Sequence, residues 1–162
     1  QRFAEAALAP PVPDPKFPYM AWDSWGYQKE INEFLLRAEA DRAAEAGAEL
    51  FIVDLGWAKA MGDWHADPKK FPSGLRAFSD YVHAKGMKFG LHFVISEAMA
   101  DSPILQAHPE WACSTSYNYH GAVSLALQHK PVQDWLIEEG VRMIQEYNVD
   151  WVLQDGQTMV KE

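Results

Sequence analysis

The sequence predicts an α/β fold of the (β/α)8-barrel type with about the first four β/α units present, and three observations predict it. Apolar runs of strand character alternate with stretches of helical periodicity along most of the 162 residues. Two of the strand-like runs stop on an acid, Leu50-Phe51-Ile52-Val53 on Asp54 and Trp151-Val152-Leu153-Gln154 on Asp155. The long connections follow the second and third strands, where parallel strands of a barrel build their ligand-binding face. A doubly wound sheet is the rival architecture, but no Gly-rich phosphate turn follows the first strand.

The elements follow in order. Gln1–Ala9 is Ala-rich, and Pro10, Pro11, Pro13, Pro15 and Pro18 force an extended path. Residues 1–18 therefore read as a linker from an upstream region, with the domain spanning 19–162. Tyr19–Trp25 reads as a short aromatic strand. Gln28–Ala46 places Ile31, Phe34, Leu35 and Ala38 at helical spacing before Gly47 stops it. Leu50–Leu55 is a buried strand, and a loop marked by Gly62, Pro68 and Pro72 follows. Ser73 is the expected cap of a helix carrying Phe78, Tyr81 and Val82 and ending at Lys85-Gly86. Lys88–Ile95 is the third strand, and Val123–Leu127 extends that region or forms a side strand. Pro131 suits a first helical turn, and Val132, Trp135, Leu136, Val141, Ile144 and Tyr147 mark a long helix leading to the last strand.

Bulk composition narrows the function. Fourteen basic against 23 acidic residues give a net charge of −9, which argues against a nucleic-acid surface. Seven Trp and six Tyr in an acidic chain suit carbohydrate, whose C–H faces stack on rings and whose hydroxyls bind carboxylates. Cys113 is the single cysteine, so the chain has no internal disulfide and no thiolate zinc cluster. No run approaches the roughly 20 apolar residues of a membrane span.

The motifs resemble those of glycoside hydrolase family 36, the α-galactosidase and raffinose-synthase clan. Phe51-Ile52-Val53-Asp54-Leu55-Gly56-Trp57, Gly62-Asp63-Trp64 and Lys70-Phe71-Pro72-Ser73-Gly74-Leu75 carry the likeness, followed by Lys85-Gly86-Met87-Lys88-Phe89-Gly90-Leu91, His108-Pro109-Glu110-Trp111 and Asp150-Trp151-Val152-Leu153-Gln154-Asp155. The resemblance implies the N-terminal half of a catalytic (β/α)8 barrel acting on an oligosaccharide or other α-glycoside, without a cofactor or metal. It implies that Asp155, at the end of the fourth barrel strand, is the nucleophile of a retaining double displacement. By the same resemblance Asp54 holds sugar hydroxyls, Trp22, Trp57 and Trp64 line the pocket, and Asp63, His92 and Gln157 contribute polar contacts.

Three departures bear on specificity. Leu55 and Leu153 stand where the family carries a second Asp and a Lys, and His92 replaces a Trp. Each lost polar ligand leaves sugar hydroxyls unpaired at about 1–3 kcal/mol, so galactose is expected to bind weakly. The acid/base of the family comes from a later strand, beyond Glu162, so the chain by itself is expected to be inactive. A non-catalytic sugar-binding barrel is the alternative, as is a homodimer that buries the open edges of a half-barrel. A metal reading built on His65, His92 and Asp155 is weaker, because the first strand has no His-x-His.

Overall fold

The computed structural model describes residues 17, 18, 20–117 and 121–155, with only the backbone considered for 114–117. The Pro-rich segment up to residue 16 and Gln157 lie outside the described residues. Four short strands, β1 (Ala21–Asp23), β2 (Leu50–Val53), β5 (Lys88–His92) and β9 (Trp151–Leu153), form one parallel sheet in that spatial order. Helices α1 (Glu33–Glu45), α2 (Leu75–Ala84) and α4 (Lys130–Tyr147) make the three crossovers. Sequential strand order with one helix per crossover is the β/α-unit pattern expected from the sequence.

The register sorts the side chains into two faces. Trp22, Phe51 and Phe89 are Cα partners across β1, β2 and β5 and share one face. Phe78 of α2 packs edge-on against both Phe51 and Phe89, at 5.9 Å in each case, so this is the helix-covered side. Asp23, Ile52, Gly90 and Trp151 form a row on the opposite, inner face, with His92 and Leu153 a step further along. Gly90 is needed in that row: a Cβ there would sit 3.1 Å from Ile52 Cγ1 and 3.4 Å from Trp151 Cβ.

The two long connections hold structure that periodicity did not reveal. After β2 the chain folds into a hairpin, β3 (Ala58–Ala60) and β4 (Asp63–Ala66), where a loop was expected. Its short strands mix small residues with isolated aromatics and so lack a readable alternation. After β5 a second, antiparallel sheet assembles β6 (Glu97–Met99), β8 (Ala122–Leu125) and β7 (Ala112–Tyr117) in that order, with the one-turn α3 (Pro103–Ala107) between β6 and β7. Gly62, at φ +86, lets the hairpin approach this sheet; a Cβ would meet Ala98 Cβ at 2.7 Å.

The helix ends follow local chemistry. Asn32 accepts the Leu35 N–H at 2.9 Å and starts α1 later than expected. Ser73 does not cap α2. Gly74 occupies that position, and the Ser73 N–H donates to Glu33 Oε2 at 3.0 Å. Asn148 adopts the left-handed conformation that closes α4, its N–H reaching the Ile144 carbonyl.

Glu33 is buried and also binds Arg37 at 2.8 Å. Burial raises its carboxyl pKa, but the Ser73 N–H and the Arg37 guanidinium together hold it below the ordinary glutamate value. A carboxyl depressed by folding stabilises the protein above its unfolded pKa and loses that contribution as pH falls. Glu33→Gln is therefore expected to lose about 1–2 kcal/mol at pH 7. Denaturant titrations at pH 7 and pH 3 check this, with the gap between parent and variant shrinking at the lower pH.

Candidate active site

The site forms at the C-terminal ends of the parallel strands, where the inner-face rows finish on polar residues. Asp23 closes β1. The backbone then enters a tight helical turn over Ser24–Tyr27, stabilised by the Asp23 carboxylate accepting the Trp25 N–H at 2.8 Å. Asp54 follows β2 one residue beyond the Val53–Leu91 pair, which sets it beside His92 on the inner face. It is buried, its N–H donates to the hydroxyl of fully buried Ser24 at 2.8 Å, and its Oδ1 accepts the Leu55 N–H. His92 ends β5, also buried, with Nε2 3.3 Å from the Asp155 carbonyl. Asp155 lies two residues past β9 and is exposed.

These groups sense one another. Partial burial raises the Asp23 carboxyl above the ordinary aspartate pKa and the Trp25 N–H lowers it. The neighbouring Asp54 raises it again by charge and by a carboxyl–carboxyl hydrogen bond, while His92 opposes that. His92 Nδ1 is buried without a hydrogen-bond partner. With Nε2 donating to the Asp155 carbonyl, Nδ1 is an acceptor awaiting a donor.

The remaining sequence-selected residues fall elsewhere. Trp22 stacks on Phe51 with ring centroids 4.3 Å apart, on the helix-covered face away from Asp54. The strand alternates, so selecting Trp22 placed the inner face one residue early; Asp23 occupies it. Trp57 and Trp64 are 1% and 2% exposed and belong to the core. Trp57 contacts the site through structure instead, its Nε1 donating to the His92 carbonyl at 2.8 Å. Asp63 sits on the hairpin, bound to His65 at 2.8 Å and facing α4 across a shallow hollow that includes Trp135 and Glu139. The described residues hold no group of three or more His, Cys, Asp and Glu placed to hold a metal ion, and His65 pairs with Asp63.

Leu55 and Leu153 keep their apolar character. Leu55 lines a cavity of about 300 Å³ with Gly56, Trp57 and Met61, and Leu153 is the Cα partner of His92 on the inner face.

Residues 19–162 match the family model described as Melibiase, nearly the whole chain. The chain belongs to the melibiase family. Among its curated relatives, α-galactosidase Mel36A of Lactobacillus acidophilus is 32% identical over 141 residues, covering 78% of this chain and 19% of that protein. An α-galactosidase of Escherichia coli is 30% identical over 159 residues, 88% of this chain and 22% of its own length. The crystal structure of the Lactobacillus brevis α-galactosidase superposes with a TM-score of 0.77 at 32% identity, covering 84% of this chain and 20% of that one. A Thermus thermophilus α-galactosidase, solved with p-nitrophenyl α-D-galactopyranoside, gives 0.75 at 28% identity over 83% of this chain and 30% of its own. The melibiase chain thus spans about a fifth of the length of the curated relatives it matches. Its α/β fold with a parallel sheet resembles part of their catalytic domain.

Two residues of the site, Asp23 and Ser24, were not selected from the sequence. The signal was present: a strand of three residues that ends on an acid repeats the pattern used to select Asp54.

Proposed function

We propose that this melibiase chain is the first half of a catalytic (β/α)8 barrel in a retaining α-glycosidase of the α-galactosidase type. The observation that carries the reading is the convergence of Asp54, His92 and Asp155 on one end of the parallel sheet. β1 and β9 are the outer strands of that sheet, and further strands, from a longer chain or a second copy, complete the barrel.

In this reading Asp155 attacks the anomeric carbon of an α-glycoside. The C–O bond to the leaving group breaks, and a β-linked glycosyl ester forms on the carboxylate. Water then attacks the anomeric carbon from the opposite face, the C–O bond to Asp155 breaks and frees its carboxylate, and the sugar leaves with its original configuration. Asp54 accepts hydroxyl hydrogens of the bound sugar. A second carboxyl, about 5–5.5 Å from the first, protonates the leaving oxygen and later activates the water. It comes from the completing strands, so residues 1–162 alone are not expected to turn over substrate.

Trapping tests the assignment. A fluorinated galactosyl fluoride, which forms the glycosyl ester quickly and releases it slowly, is incubated with the complete protein. Mass spectrometry is expected to find one sugar on the peptide that contains Asp155. A label on any other carboxylate removes Asp155 as the nucleophile.

A further inference from the structure

Asp23 stands on the same inner face as Asp54 and His92, near enough that the Asp54 carboxyl raises the Asp23 pKa and His92 lowers it. One oxygen of each acid is engaged locally, Asp23 Oδ1 by the Trp25 N–H and Asp54 Oδ1 by the Leu55 N–H. Each carboxyl keeps a second oxygen. The charged neighbours that act on Asp23 are Asp54 and His92, with no Lys or Arg among them. Nor does any described Lys or Arg form an ion pair with either acid.

Asp23 is exposed and Asp54 buried, so solvent can serve the first, and the pair as a whole is best satisfied by a ligand that donates to both. A vicinal diol does so, because its two O–H groups lie side by side and each can serve one carboxylate oxygen. The buried His92 Nδ1 is an independent sign of the same deficit, an acceptor with no donor in the free protein. Leu55, next to Asp54 in the chain, and Leu153, the Cα partner of His92, offer no polar contact. Asp23 is the additional group able to grip a sugar here.

We propose that Asp23 is a specificity-determining sugar ligand, which together with Asp54 clamps two adjacent hydroxyls of the glycone. The inference rests on the reading of the site as a glycone pocket. It assigns Asp23 one hydroxyl and Asp54 its neighbour on the ring.

Sugar binding to the complete protein tests it without requiring turnover. The probes are D-galactose or D-glucose, whichever binds more tightly, and the 2-, 3-, 4- and 6-deoxy forms of that sugar, measured by calorimetry or ligand-observed NMR. In the parent protein two deoxy forms missing adjacent hydroxyls are expected to bind about 10²-fold more weakly than the parent sugar. In Asp23→Ala one of those two penalties disappears, and affinity for the parent sugar falls to that of the corresponding deoxy form. Asp23→Asn has the same shape and retains one acceptor, so its affinity falls between, which covers the case in which the alanine variant folds poorly. If either folded variant weakens every sugar by the same factor, Asp23 is structural and the clamp is wrong. If neither sugar binds the parent protein, the glycone reading fails and the clamp with it. If the deoxy pattern holds but the covalent label misses Asp155, the nucleophile assignment fails while the clamp stands.

Discussion

Asp155→Ala in the complete protein is expected to lower kcat/KM for an activated α-galactoside by about 10⁴-fold or more, while leaving the thermal midpoint within a degree or two. The size follows from the role. Without the carboxylate no glycosyl ester can form, and the remaining groups contribute only binding and electrostatic stabilisation. The side chain is exposed beyond the end of β9, so its removal opens no core cavity. Azide supplies a check that loss of activity alone cannot. A small anion entering the vacated space attacks from the same side as the lost carboxylate and should give a glycosyl azide of β configuration with partial recovery of rate. Parent-like activity in Asp155→Ala, or an α-configured azide, would contradict the double displacement.

The second large effect is expected at Asp54. Asp54 is buried at 5% exposure, its backbone N–H donates to the Ser24 hydroxyl, and its carboxylate Oδ1 accepts the Leu55 N–H. A rigid acceptor that meets a sugar hydroxyl contributes most when the reacting sugar is also in place, so Asp54→Ala should cost about 10³-fold in kcat/KM. Asp54→Asn keeps an acceptor and is expected to recover part of that loss. Removing one of two neighbouring acids relieves their repulsion but leaves the buried Leu55 N–H without its acceptor, so the thermal midpoint of Asp54→Ala should fall by no more than a few degrees. A large fall in stability with little change in kinetics would instead mark Asp54 as a structural acid.

How far the sequence could be read depended on what each signal measures. Apolar runs ending on acids located Asp54 and Asp155, because a buried strand must be apolar until it emerges and the first polar residue marks where it does. Helix periodicity located α1, α2 and α4 for the same reason, and the error at the start of α1 came from counting Ile31 before the Asn32 cap. Aromatic residues were less informative. Trp57 and Trp64 look alike whether they stack on a ligand or fill the space between a hairpin and a helix, and only tertiary packing separates these cases. The β3–β4 hairpin and strands β6 and β7 were illegible because they are three to six residues long and interrupted by turns, whereas β8 falls on the Val123–Leu127 side strand. Trp22 shows how sensitive a short strand is to phase: one residue of displacement exchanges the inner and outer faces.

Ser24 belongs to the turn after β1 but holds the amide of Asp54, and Trp57 belongs to the segment after β2 but holds the carbonyl of His92. The backbone of Asp54 and that of His92 are thus each latched by a residue from the segment after another strand. Fraying of β1 from the sheet edge would release the Asp54 amide to deuterium at the same rate as the rest of that strand. Occupancy by a sugar should slow both together, which makes the exchange kinetics of a single amide a reporter for the integrity of the whole site.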